Sequence, residues 1–142
     1  MENVQKVLIV EDDNFLGDLL IDHLKREGIK ASVAKDAETA LKMIHQEVPS
    51  LVLLDLLLPG MSGLELLEVL QNEDIVPGLC VVILSNLSQS EKIEQAINLG
   101  AKDFLVKSSF DLNEITEKVK ENLGVQDRSA PLPPANADNN KT

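Results

Sequence analysis

Four places in the chain put reactive or charged side chains at the end of a short apolar run. Glu11-Asp12-Asp13 follows the first run, Asp55 ends the third, Ser85-Asn86 follows the fourth and Lys107 ends the fifth. Carboxylates gathered together repel one another, and either protonation or a hard divalent cation relieves them. Mg²⁺ takes oxygen ligands, keeps several waters and typically uses only a few carboxylates plus a phosphate oxygen. Asp12 and Asp55 suit direct ligation, with Glu11 or Asp13 nearby to hold metal-bound water. An aspartate held beside such a cation keeps its charge and can attack phosphorus as a nucleophile. The Lys107 ammonium and the Ser85 hydroxyl can then share the charge on incoming phosphoryl oxygens. Each fragment alone is commonplace. An acidic triplet after a strand is usually a turn and a helix start, and a lysine at a strand end is usually solvated. Their joint occurrence at strand ends is the specific signal.

That signal needs a scaffold that brings the ends together. Five apolar runs, Val4–Val10, Ile29–Ala34, Leu51–Asp55, Leu79–Leu84 and Asp103–Lys107, alternate with five helical patterns. The first, third and fourth runs are nearly solid apolar, as in strands covered on both faces. The second alternates Ile29, Ala31 and Val33 with polar residues and reads as an edge. Ser62-x-x-Glu65, Ser88-x-x-Glu91 and Asp111-x-x-Glu114 fit capping boxes, and Gly28, Gly100 and Gly124 sit where helix C-caps belong. Helix-spaced apolar residues, such as Leu20 and Leu24, or Ile93, Ala96 and Ile97, predict the buried faces. Strict strand–helix alternation implies a parallel sheet with right-handed crossovers. Five units are too few for an eight-stranded barrel. The expected fold is therefore α/β, a three-layer doubly wound (βα)5 sandwich, with its site outside the carboxyl ends of the central strands.

The chain has 142 residues and a formal net charge of −11. The last 18 residues carry two acids and two bases, so the whole imbalance lies in residues 1–124. Such a surface repels nucleic acid and anionic membranes and favours basic partners or divalent cations. No apolar stretch reaches the length of a membrane span, and the start lacks a signal-peptide pattern, so a cytoplasmic protein is expected. The lone Cys80 lies in an apolar run and reads as a small buried hydrophobe. Residues 1–124 are expected to form one domain, which leaves no room for a separate effector domain. Residues 125–142 are rich in Pro, Asn, Asp and Ala, and are expected to be a disordered tail. His23 and His45 lie in helical patterns with no second ligand nearby and read as surface or boundary residues.

VLIVEDD, LVLLDLLLPGMSG, VVILSN and DFLVK together resemble the receiver domain of bacterial two-component response regulators, over residues 4–123. The resemblance implies a flavodoxin-like five-stranded sheet of order 2-1-3-4-5 and Mg²⁺ as cofactor. Glu11 and Asp12 match the acidic pair, with Asp12 a direct metal ligand. Asp55 matches the phosphoryl acceptor, and Leu57 would offer its backbone carbonyl to the metal. Pro59 and Gly63 match the family's Pro and Gly after the acceptor. Ser85 matches the switch hydroxyl, Phe104 the aromatic switch and Lys107 the family lysine. The implied protein is a stand-alone phosphorelay switch, not an enzyme acting on a separate substrate. A histidine kinase or phosphotransfer protein would supply the phosphoryl group. A downstream protein would read the face made by the fourth helix, fifth strand and fifth helix.

Two competing readings remain at this point. One is a receiver-fold binding module that works without phosphorylation, although no acidic or lysine position is lost. The other is an aspartyl-nucleophile hydrolase, which often places a second carboxylate where this chain has Leu57. Two positions depart from the family pattern. Asn86 stands where a smaller residue is usual and narrows the approach of donors. Ser108 stands where proline is common. A cis Lys107–Ser108 bond would cost about 2.5–4 kcal/mol. Either a trans bond with a rearranged loop or a strained cis bond is expected.

Overall fold

The solid apolar runs become the middle of a sheet. The computed structural model describes residues 6–75, 78–86, 90–107 and 111–124. In chain order these form β1 (Lys6–Val10), α1 (Asn14–Arg26), β2 (Lys30–Ala34), α2 (Ala37–Gln46) and β3 (Leu51–Asp55), followed by α3 (Gly63–Asn72), β4 (Cys80–Ser85), α4 (Ser90–Asn98), β5 (Asp103–Val106) and α5 (Leu112–Leu123). All four strand pairings are parallel, and the order is β2-β1-β3-β4-β5. The order that the resemblance implied is the one observed. β1, β3 and β4 occupy the centre, and the alternating β2 is an edge, as its pattern predicts.

Strand residues alternate between two cores, because successive side chains point to opposite faces of a sheet. Leu8, Val10, Val52, Leu54, Val81 and Ile83 meet Ile44 of α2, Leu66 and Leu70 of α3 and Ala96 of α4. Val7, Ile9, Leu51, Leu53, Val82 and Leu84 meet Leu20 and Leu24 of α1 and Ile115 and Val119 of α5. Three layers result, with α2, α3 and α4 on one face and α1 and α5 on the other.

The start and stop signals behave as their chemistry requires. Ser62 and Glu65 exchange both bonds of a capping box, at 3.1 and 2.9 Å, and Asp111 and Glu114 do the same for α5. Gly124 closes α5 in the left-handed region, at φ 77°. Val4, Ser88, the Lys107–Ser108 bond and the tail 125–142 lie outside the described residues. The strand bounds shift slightly: β4 starts at Cys80 and includes Ser85, and β5 ends at Val106. One helix face differs more. Ile93 and Ala96 are buried, but Ile97 is exposed. The third-residue repeat falls on the sheet, whereas the fourth lands at the margin, beside the short edge strand β5.

Gly63 starts α3 against the backbone of β3. A Cβ there would stand 2.6 Å from the Asp55 carbonyl oxygen and 2.8 Å from the Leu56 Cα, closer than real contacts allow. At Gly78 a Cβ would meet nothing within 4 Å. Gly63→Ala should therefore cost about 1–3 kcal/mol through overpacking. Gly78→Ala should be neutral or stabilising by about 0.4–1 kcal/mol, through lower unfolded-state entropy. Urea denaturation of the two variants checks this; equal effects would remove the close approach as the reason for glycine at position 63.

Candidate functional site

Register alone assembles most of the site. β1 and β3 pair Val10 with Leu54, so the next residues, Glu11 and Asp55, stand side by side. β3 and β4 pair Asp55 with Leu84, and β4 and β5 pair Ser85 with Val106. Ser85 and Lys107 thus complete a row along the carboxyl edge. The chain leaves β1 for one edge and β3 for the other, so α1 and α3 diverge to opposite faces. A crevice opens between them, as it does wherever a doubly wound sheet reverses its strand order.

Glu11, Asp12 and Asp55 each bring a carboxylate oxygen into a group whose members all lie within 4.8 Å of one another. Asp12 is exposed, but Glu11 is only 1% exposed and Asp55 only 4%. The Lys107 Nζ stands 2.9 Å from Asp55 Oδ2 and 2.9 Å from Glu11 Oε1. It donates a hydrogen bond to Asp55. The Leu57 amide donates to the other oxygen, Oδ1, at 3.1 Å. Two donors from different elements therefore fix the plane of the Asp55 carboxylate.

Three carboxylates face one ammonium, which leaves a formal surplus of two negative charges. Burial pushes the Glu11 carboxyl above the usual glutamate range; the Lys107 ammonium opposes this and the Asp55 charge adds to it. Burial alone would lower the Lys107 pKa, but the hydrogen bond to Asp55 and the negative charges of Asp55 and Glu11 outweigh it and raise the value. The stability this ammonium contributes is full below the ordinary lysine range and is lost only as pH rises through the raised value. Lys107 is thus a fixed cation at neutral pH. It does not satisfy the whole cluster: Glu11 Oε1 is buried and lacks a hydrogen-bond partner, because its contact with Nζ is an ion pair without hydrogen-bond geometry. A buried oxygen in that position, within a group carrying two surplus charges, fits a hard divalent cation held by Glu11, Asp12 and Asp55.

Ser85 is buried, and its hydroxyl donates to the Asn86 carbonyl at 3.2 Å, not to a carboxylate. Phe104 lies on β5, three residues before Lys107, and its ring is exposed. Asp13 is committed elsewhere. Its Oδ1 caps α1 by accepting from the Phe15 and Leu16 amides at 3.0 and 3.2 Å. Its own amide donates to Glu11 Oε2 at 3.1 Å, which helps to hold that buried carboxylate. Sequence reasoning left Asp13 open as a holder of metal-bound water, since capping and metal binding ask for the same acceptor oxygen. His23 contacts Asn113 and His45 contacts Glu73, both away from the site. Cys80 is half-buried rather than fully buried, because it starts β4 at the margin of the core, and burial raises its thiol pKa.

The response regulator receiver domain family matches residues 7–120. This chain belongs to that family. Solved structures agree with the match. A CheY-like response regulator receiver domain protein from Methanospirillum hungatei is 30% identical, with a TM-score of 0.78, and the alignment covers 86% of this chain and 95% of that one. The receiver domain of NtrX from Brucella abortus is 33% identical, with a TM-score of 0.76, covering 84% and 99% of the two chains. A Francisella response regulator receiver domain is 28% identical, with a TM-score of 0.76, over 84% and 97%. The matched span of the receiver contains Glu11, Asp12, Asp55, Ser85, Phe104 and Lys107. Among the described residues, no helix is long and apolar enough to cross a membrane.

The charge balance of the receiver site predicts opposite effects for two substitutions, measured by urea denaturation in chelator. Asp12→Ala removes one repelling charge and should stabilise by about 0.5–1 kcal/mol. Lys107→Met strands two buried carboxylates and should destabilise by about 1–3 kcal/mol. Shifts of the same sign would show that carboxylate repulsion does not govern this site.

Proposed function

We propose that the chain is a response regulator receiver that accepts a phosphoryl group on Asp55 from a histidine kinase or phosphotransfer protein, in a Mg²⁺-dependent reaction in the cytoplasm. The observation that carries this reading is the Asp55 carboxylate, buried, oriented by Lys107 and Leu57, and set in a group with two surplus negative charges. Glu11, Asp12, Asp55 and the Leu57 backbone carbonyl would hold the cation. When bound, it supplies charge neutralisation that lets an anionic carboxylate meet an anionic phosphoryl group.

In the transfer, an Asp55 carboxylate oxygen forms a bond to phosphorus as the donor's P–N bond breaks. The electron pair returns to the donor's imidazole nitrogen. Lys107 already stands at the carboxylate and neutralises charge that spreads onto the phosphoryl oxygens. Exposed Phe15 follows Asp12 by three residues, and exposed Leu57 follows Asp55 by two, so both offer apolar surface to an incoming donor. The protein is thus the substrate of its own chemistry, and its product is a changed surface.

The relay to that surface runs through Ser85 and Phe104. A phosphoryl group brings up to two negative charges and three acceptor oxygens. Ser85 would release the Asn86 carbonyl and donate to one of them. Phe104, now outward, would turn into the space that Ser85 vacates. The face formed by α4, β5 and α5 then changes shape, and a downstream protein that prefers one shape shifts the population.

Intact mass after incubation with acetyl phosphate and Mg²⁺ tests the acceptor. A phosphoryl-sized gain is expected in the wild type and should disappear in Asp55→Asn and in chelator. A gain that survives Asp55→Asn would move the acceptor elsewhere. No gain from either acetyl phosphate or a cognate kinase would leave a binding module that works without phosphorylation.

A further inference from the structure

The face between α4 and α5 has a charge pattern that the phosphoryl chemistry does not need. Phe104 and Ile97 are 42% and 40% exposed, and both line a groove of about 710 Å³ with Glu91 and Glu94 of α4. Phe104 also borders a second groove, of about 560 Å³, lined by Glu114 and Glu117 of α5. An apolar ridge thus stands between two acidic walls. Among the described residues, Lys118 is the one cation lining either groove, and its ammonium lies 3.3 Å from Asp103.

Exposed apolar surface rimmed by charge marks an interaction site, and the sign of the rim selects the partner. A second copy of this chain docking through a two-fold axis would use the same patch on both sides. It would set acidic wall against acidic wall, with no free cation from the grooves to separate them.

We propose that this face binds a segment of another protein that presents a bulky apolar side chain flanked by Lys or Arg. The apolar side chain packs on Phe104 and Ile97, and the basic flanks reach the α4 and α5 acids, as a helix laid in a groove does. This rests on the reading of the face as the output surface and specifies the chemistry of what reads it.

The probe is a short fluorescein-labelled amphipathic peptide with Leu and Phe on one face and Lys and Arg on its flanks. Its twin carries Glu at every basic position. Anisotropy is read with the full chain, both untreated and after acetyl phosphate and Mg²⁺, with intact mass taken on the same samples. The basic peptide should bind in at least one state, and the twin in neither. The double variant Glu94→Lys, Glu117→Lys should weaken binding about tenfold or more, through two reversed rim charges. Phe104→Ala should weaken it as well. Glu38→Lys, on α2 towards the other edge of the sheet, should leave it unchanged, and circular dichroism checks that each variant folds. Three results would overturn the proposal: equal binding of the twin, an equal loss in Glu38→Lys, or a dimer in sedimentation that Phe104→Ala dissolves. A phosphoryl gain in mass without peptide binding sinks the partner chemistry and leaves the switch reading standing. Absence of the mass gain with both acetyl phosphate and a cognate kinase sinks the switch reading, while the peptide comparison still decides the partner chemistry.

Discussion

Three carboxylates and one ammonium share the carboxyl edge of the sheet, and the rest of the structure is arranged around that imbalance. Burying like charges costs free energy unless something relieves them. Here the relief is partial by construction. Lys107 spans Glu11 and Asp55, the Leu57 amide takes one more oxygen, and a buried oxygen of Glu11 is left without a hydrogen bond. A site held short of neutrality in this way fits a divalent cation. The fold contributes stiffness. Two apolar cores clamp the central strands from both faces, so that the ends cannot spread apart to relax the repulsion.

The same edge connects the chemistry to a surface. Ser85 ends β4 next to the row of Glu11 and Asp55, and the strand beside it carries Phe104 and leads into Lys107. β5 is an edge strand of only four residues, with Phe104 exposed and Leu105 buried. The Phe104 ring can therefore change its contacts without unpacking the centre. A charge event at Lys107 is thus three residues from an exposed ring flanked by acidic helices.

Much of this was legible in the sequence, and the reasons are physical. Solid apolar runs can exist only between two covering layers, so β1, β3 and β4 announced a buried parallel centre. Alternation in β2 announced an edge. The order of the strands was not legible from periodicity, because alternation of strands and helices fixes parallelism but not neighbours; the family resemblance supplied it. Asp13 could not be assigned, since a helix cap and a metal ligand need the same carboxylate oxygen. Only the observed bonds to the Phe15 and Leu16 amides decide it. Ile97 was misplaced because helical spacing marks a stripe without saying where the sheet beneath it ends. The depth of Glu11 was also hidden, because burial of a carboxylate depends on the lysine that the fifth strand brings to it.

Calorimetric titration of the metal-free chain with Mg²⁺ asks whether the surplus charge is a cation site. Saturable binding at one site per chain is expected, abolished in Asp12→Ala while the fold persists by circular dichroism. Absence of saturable binding to the wild type, or binding unchanged in Asp12→Ala, would contradict a cation site.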